Sequence, residues 1–367
     1  MPVILTEHDV QQVLPMPDLI EVMGRALSEF SAGRVAQPVR SVLEVGPEKA
    51  YFGVMPAALG SPAAVGAKLV TVYNNNHARG LPSHLATIVL LEPETGELVA
   101  ILDGRYITEA RTAAVSAVSV KLLASRGASV LALIGSGVQA KSHLEAIRHV
   151  ANLTDVRIWS PNAFHRDQFA KDASAATSLK VRAVADARTA VRGADIVVLA
   201  TSSREPVIAN DDIGPGTHIC GIGACRPDQR EMPSALVARA RVYVDSRAGA
   251  LKESGDLLLP IREGAINDRH IVAELGELVA GKAAGRIAAS GVTIFKSLGM
   301  SPTNLSSVPW CRNSTSTITP KYSFSWATIA SGVPRSEAEV NPRMSENSTV
   351  MSRRSPPKRA SAGFDIN

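Results

Sequence analysis

Residues 129–150, SVLALIGSGVQAKSHLEAIRHV, carry the most informative spacing in the chain. Gly135, Gly137 and Ala140 make a G-x-G-x-x-A pattern. It lies between an apolar run, Ser129–Ile134, and a stretch with Ala140, Leu144 and Ile147 at helical intervals. Strand, glycine turn and helix, in that order, form the context of a dinucleotide site. Gly135 permits the tight turn, Gly137 lets the backbone approach a pyrophosphate, and Ala140 lets the helix pack close to its strand. The loop residues Ser136, Val138 and Gln139 stand at the helix start, where free N–H groups and the dipole favour an anion.

Arg40, Lys68 and Arg111 are a second set. Lys68 lies inside an apolar strand pattern, VGAKLVTV, and Arg111 on an alanine-rich helix that should be buried. Charges at such positions are rarely left unpaired. A small carboxylate ligand would pair them, and arginine offers it a two-pronged fork. Cys225 follows the GIGA turn. Only Arg226 beside it would lower its pKa, so a nucleophilic thiol is disfavoured. Glu253 and Asp256, in KESGDL, either form a helix-end charge pair or line a ligand pocket. No His/Cys cluster has metal-ligand spacing.

The type of dinucleotide is read at the end of the next strand. An NAD site wants an acid there, about 20 residues beyond the glycines, for the ribose 2′-hydroxyl. The sequence is VRIWSPNAFHR, and Asp155 stands at the strand's wrong end. Ser160, Asn162, His165 and Arg166 are neutral or basic and suit a 2′-phosphate, so NADP(H) is favoured and NAD(H) is the alternative.

These residues need two kinds of support. The N-terminal part predicts two helices, capped by Thr6 and Asp18. It then predicts strands at Ser41–Val45, Ala50–Val54, Ala67–Tyr73, Ala86–Leu91 and Leu98–Leu102. Strands after helices imply an α+β domain with a mostly antiparallel sheet. Ile107–Ala124 is a buried helix leading onward. From Ser129 strands and helices alternate through Val244, which predicts a doubly wound parallel sheet of α/β class.

Length and composition agree. The 367 residues suggest two domains. No run of 18 apolar residues predicts a membrane span, and the N-terminus lacks the pattern of a signal peptide. Three cysteines make no disulfide framework and fit a reducing cytoplasm. Four of the five net positive charges fall in residues 301–367, so the body is almost neutral and nucleic acid is not an expected partner. That tail, rich in Ser, Thr, Asn, Pro and Arg, reads as a disordered extension. The competing reading is a frameshifted version of a C-terminal helix.

Several segments together resemble the ornithine cyclodeaminase/mu-crystallin family: 40–57, 66–73, 80–104, ITEARTAAVSA (107–117), IGSGVQA (134–140), GIGACRPDQREM (221–232), 243–260 and TIFKSLGM (293–300). The resemblance implies a Rossmann domain at 119–289 and a substrate-binding and dimerisation domain at 1–118, with part of 290–300 returning to it. It stops at Met300, where the family normally continues with a helix packed on the first domain. It assigns Arg40, Lys68 and Arg111 to the substrate carboxylate, with Lys68 also supplying or relaying a proton to an imine nitrogen. Ser83 and His84 match positions near the nicotinamide, and Thr112, Thr201, Ile222 and Ser297 match cofactor contacts. Cys225 stands where the cyclodeaminases and related alanine dehydrogenases carry Asp. That loss disfavours ammonia chemistry and leaves reduction of a preformed cyclic ketimine carboxylate, to proline or pipecolate, as the first expectation. An NAD-dependent ornithine cyclodeaminase and a non-catalytic NADP-binding protein are the alternatives. A cytoplasmic homodimer is implied.

Overall fold

The protein is described from a computed structural model that covers residues 2–307 other than 39, 47–49 and 61–62. Its first part runs β1 (Val3–Leu5), α1 (Glu7–Val13), α2 (Met16–Ser31), β2 (Val35–Ala36), β3 (Ser41–Val45), β4 (Ala50–Gly60), β5 (Ala63–Val72), β6 (His84–Leu91), β7 (Leu98–Asp103) and α3 (Arg105–Leu123). The seven strands make one sheet in the order β1-β7-β6-β5-β4-β2, with β3 also on β4. All pairings are antiparallel except β1 with β7. β4 and β5 run well beyond the expected segments. β1 was not anticipated, because three residues carry no periodicity.

Thr6 caps α1 in a reciprocal capping box with Asp9. Asp18 does not cap α2. That helix starts at Met16, after Pro15 in extended backbone; Pro17 in its first turn has a fixed φ that suits a helix entry, and Asp18 lies in the same turn. The apolar stripe of α2 (Leu19, Met23, Leu27) is fully buried with Ile88, Leu102 and Ile107. Each such side chain contributes about 1.5–3 kcal/mol by leaving water.

The second part runs β8 (Val130–Ile134), α4 (Val138–Ile147), β9 (Asp155–Trp159), α5 (Ala163–Thr177), β10 (Val181–Ala183), α6 (Ala187–Val191), β11 (Ile196–Leu199), β12 (His218–Gly221), α7 (Ser234–Arg239), β13 (Arg241–Val244), α8 (Arg247–Glu253), α9 (Gly255–Arg262), β14 (Ile271–Glu274), α10 (Leu275–Val279), β15 (Thr293–Lys296) and α11 (Ser301–Ser306). Eight parallel strands are ordered β10-β9-β8-β11-β12-β15-β13-β14. β8, β11 and β12 are buried on both faces, as in a sheet covered by helices on each side. The chain leaves β8 for β9 on one side and returns to β11 on the other. A switch point therefore lies at the carboxyl ends of β8 and β11, where such sheets bind ligands.

One expectation is corrected, in the tail. Within residues 290–300, β15 runs between β12 and β13 with both faces buried, while Met300 packs into the core of α2 and α3. The chain then continues as α11, which packs on α2, β4 and β5. The Ser/Thr/Asn-rich composition therefore begins before the fold ends: Asn304 and Leu305 of α11 are wholly buried, contrary to a disordered extension from residue 301. The tail from residue 308, with Cys311, lies outside the described residues. The expected domain boundary at 118/119 falls inside α3, which packs on both α2 and α4. Among the described residues no helix is long and apolar enough to cross a membrane.

Candidate active site

The dinucleotide turn sits at the switch point. Gly135 has φ +111°, and a Cβ there would lie 2.4 Å from the carbonyl oxygen of Ala200, so only glycine lets the loops after β8 and β11 meet. Gly137 begins α4 without a side-chain cap, and space is open where its Cβ would be. Uncapped N–H groups beside an open backbone fit a dinucleotide pyrophosphate. Val138 is exposed at this helix start and Gln139 follows it. Ser136 donates to the Ser160 hydroxyl at 2.9 Å, linking the turn to the end of β9. Ser160 in turn donates to the Asn162 carbonyl, and Asn162 caps α5. Asp155 is engaged at the far end of the strand by Arg157 and Arg182. Arg166 donates to the Ser160 carbonyl at 3.3 Å.

The three cations converge on the side of α3 that faces β5. Lys68 is 3 % exposed and stands in register between Met55 and Ile88. Its Nζ donates to Thr108 Oγ1 at 3.2 Å. Thr108 is one turn before Arg111 and Thr112, which places all three on one helix face. Burial, with Arg111 and Arg40 nearby, pushes Lys68 well below the ordinary lysine range. Burial also lowers Arg111, to about 10 despite the opposing Asp245, so it stays charged at neutral pH. Its Nε donates to Asn304 on α11 at 3.2 Å, and its guanidinium packs on Gly299. Arg40 donates to both carboxylate oxygens of Glu253 at the end of α8. Burial works against the Arg40 charge, but Glu253 outweighs it and raises its pKa. Among the described residues no carboxylate forms an ion pair with Lys68.

His84 begins β6. Burial, then Lys68 and Arg111, bring it to about 4, so its imidazole is neutral. Ser83 precedes it and accepts the Tyr73 N–H through its carbonyl. Cys225 follows β12, and its thiol donates to the Ile222 carbonyl at 3.2 Å. Burial pushes that thiol upward, which keeps it protonated. The alternatives for KESGDL are resolved: Glu253 faces Arg40, whereas Asp256 is buried in an ion pair with Lys296. Thr112 is engaged with its own helix at the Thr108 carbonyl. Thr201 donates to Glu231, and Ser297 donates to Asp245. Ile222 is buried at the end of β12.

Four residues of this architecture went unread in the sequence. Asp245, directly after β13, accepts from Ser297, Leu298 and Gly299, and so shapes the seat of Arg111. Glu231 collects four donors from the loops after β11 and β12. Asp245 carries a sequence signal, as a carboxylate directly after a parallel strand, whereas Glu231 stands well beyond β12 and carries none. Asn304 was set aside with the tail. His143, brought by burial to about 4, joins Ser116 of α3 to the Gln139 carbonyl of α4. A carbonyl can only accept, so Nδ1 carries the proton and Nε2 accepts from Ser116. This ties the helix of Arg111 to the helix of the dinucleotide turn. A surface cavity lined by Arg148–Leu153, Thr177 and Leu179 opens at the amino ends of β9 and β10 and shares no residue with this cluster.

The site thus offers an uncapped helix start for a dinucleotide beside a cluster of buried and half-buried cations. Comparison with known proteins gives the same neighbourhood. The model of the ornithine cyclodeaminase/mu-crystallin family matches residues 1–316. Ketimine reductase mu-crystallin of Mus musculus is 40% identical over 308 residues, which is 83% of this chain and 94% of the relative. The structure of Thermococcus litoralis Δ1-pyrroline-2-carboxylate reductase in complex with NADH and L-proline superposes with a TM-score of 0.81 and 36% identity, over 83% of this chain and 94% of that one. An archaeal alanine dehydrogenase dimer with bound NAD has a TM-score of 0.79 and 30% identity, over 83% and 93%.

Proposed function

Since the chain belongs to the ornithine cyclodeaminase/mu-crystallin family, we propose that it reduces a cyclic ketimine carboxylate with NAD(P)H. The substrate is Δ1-pyrroline-2-carboxylate or Δ1-piperideine-2-carboxylate, and the product L-proline or L-pipecolate. The observation that carries this reading is the buried meeting of Arg40, Lys68 and Arg111, in which Lys68 has no carboxylate of its own among the described residues. An arriving carboxylate supplies the missing charge. Arg111 and Arg40 hold it, and Lys68, brought to the ammonium form beside it, provides the proton for the imine nitrogen as hydride adds to the ring carbon. The dinucleotide, when bound, supplies that hydride. Oriented partners held beside a bound carboxylate are most of what such a transfer requires. The protonated Cys225 thiol offers no general base for handling water or ammonia, which favours reduction over cyclodeamination.

NADPH is the preferred reductant in this reading. The end of β9 presents Ser160 and Asn162 and no carboxylate for a ribose 2′-hydroxyl. The first sheet with α1–α3 and α11 is the substrate and dimerisation part, and the parallel sheet with its helices is the cofactor part. A homodimer is supported by the outer face of the first sheet. Leu43, Phe52, Thr71 and Leu85 stand opposite one another across β3, β4, β5 and β6, with Leu43 62 % and Leu85 39 % exposed. Such an apolar row on a sheet suits a second copy, and a solution mass of twice the chain is expected by light scattering. A reducing, cytoplasmic setting suits the free thiols of Cys220 and Cys225.

The deciding assay follows NADPH absorbance with Δ1-pyrroline-2-carboxylate and, separately, ammonia release from ornithine. NADPH oxidation without ammonia release is expected. Ammonia release, or absence of both reactions, overturns the reading.

A further inference from the structure

Glu231 has no exposed surface and no place in the chemistry above. One carboxylate oxygen accepts the Thr201 N–H at 2.7 Å and its hydroxyl at 2.8 Å. The other accepts the N–H groups of Gly223 at 2.8 Å and Ala224 at 3.2 Å. Thr201 follows β11, and Gly223 follows β12. A third strand reaches the same network. Lys296, the last residue of β15, pairs with Asp256 at 3.1 Å, and Asp256 accepts the N–H groups of Glu231 and Met232.

This carboxylate is not needed to hold the sheet. β11 and β12 are already laddered from Ile196–His218 to Leu199–Gly221, and Ile222 N–H continues onto Leu199. Glu231 acts one step beyond, on the backbone that leaves the strands. The approach there is close: a Cβ on Gly223 would lie 1.9 Å from the Thr201 carbonyl oxygen and 2.6 Å from Glu231. On one side Thr201 touches the dinucleotide turn, with its methyl 3.6 Å from the Cβ position of Gly135. On the other side Ile222 and Cys225 lead to the cation cluster. Backbone N–H groups at the carboxyl ends of these strands, which a ligand would otherwise meet, are taken up by the protein's own anion.

We propose that Glu231 is a positioning residue. By fixing the segments after β11 and β12 against each other, it sets the platform for the reactive end of the dinucleotide relative to the substrate cations. The proposal rests on the reductase reading above. Hydride transfer is steep in geometry, and about 1 Å of misplacement lowers a rate roughly 100-fold. Glutamine in this position sets an NH2 group against N–H donors, so the clamp opens while the side-chain volume is kept.

The test is steady-state reduction of Δ1-pyrroline-2-carboxylate by full-length Glu231→Gln, with NADPH and with NADPH deuterated at the transferred position. The expected result is a kcat lower by about 10- to 100-fold, a ketimine KM within about twofold of wild type, and a larger deuterium isotope effect on kcat. A role in stability alone lowers Tm and the active fraction but leaves the isotope effect unchanged, and that outcome overturns the proposal. If Glu231→Gln does not fold, Thr201→Val carries the comparison: it removes the hydroxyl bond to Glu231, and the hydroxyl's acceptance of the Ser203 N–H, while leaving the backbone N–H bonds to Glu231 in place. A raised isotope effect supports the clamp and an unchanged one overturns it. Failure of the reductase reading shows separately, as wild-type protein that does not oxidise NADPH with the ketimine. In that case the emission of bound NADPH decides: a shift in Glu231→Gln supports the clamp and an identical spectrum overturns it.

Discussion

Arg40 and Glu253, 213 positions apart in the chain, join the two sheets through a two-pronged ion pair at the mouth of the cation cluster. Arg40 lies just before β3, and Glu253 ends α8. Neither is fully buried, with side-chain exposures of 25% and 20%. The pair keeps a long, flexible cation in one place, and it lowers the net charge that Lys68 and Arg111 experience.

Glu253→Gln should therefore loosen Arg40 more than it disturbs the fold. Charge-assisted bonds of this type contribute about 1.5–3 kcal/mol when desolvated, and partial exposure reduces that figure. We expect the ketimine KM to rise about tenfold, or about 1.4 kcal/mol, with little change in NADPH affinity measured by fluorescence titration. A KM equal to wild type would mean that Arg40 takes no part in carboxylate binding.

Lys68 combines function with a stability penalty. Its amine is buried near two other cations, so the folded state bears a cost either to hold the charge or to give up the proton, and an apolar side chain of similar length removes that cost. Lys68→Met should raise Tm by several degrees while lowering kcat by at least about 100-fold, with NADPH binding intact. The pH dependence follows from the sign of the shift. The folded pKa is below the unfolded value of about 10.4, so unfolding takes up a proton between the two. Stability of the wild type rises with pH across that window, and Lys68→Met should flatten the rise. In the holoprotein, cyclopentanecarboxylate, which has no titratable amine, should bind with proton uptake at a pH above the lowered Lys68 value. The signature is a calorimetric heat that depends on the buffer's ionisation enthalpy in wild type but not in Lys68→Met. Buffer-independent heat in wild type would assign the lysine a structural role.

The parallel sheet was legible because its strands are short apolar runs separated by turn signals, and the glycine turn because each glycine answers a steric demand. The antiparallel sheet was legible in outline, but Pro56 and Gly66 hid the full length of β4 and β5. Lys68 and Arg111 stood out as charges in apolar patterns, since burial is a local property of the pattern. The residues that fix them did not. Asp245, Glu231 and Asn304 act on backbone or side chains that are distant in sequence, and nothing in their own neighbourhoods marks those partners. Asn304 was hidden further by its place in a segment whose composition resembles an unfolded tail.

Cofactor choice can be tested at one residue without disturbing the scaffold. Asn162 caps α5 by accepting the His165 N–H at 3.1 Å. Aspartate caps a helix about as well as asparagine, and its charge suits the helix N-terminus. Asn162→Asp should therefore fold with a Tm close to wild type. It also places a carboxylate at the end of β9, where one accepts a bond from a ribose 2′-hydroxyl and repels a 2′-phosphate. We expect the ratio of kcat/KM for NADPH over NADH to fall by about tenfold or more, the equivalent of roughly 1.4 kcal/mol, chiefly through a higher KM for NADPH. The adverse result is an unchanged ratio in a correctly folded variant. It would show that the end of β9 does not read the 2′ position, and the preference for NADPH would then lose its basis.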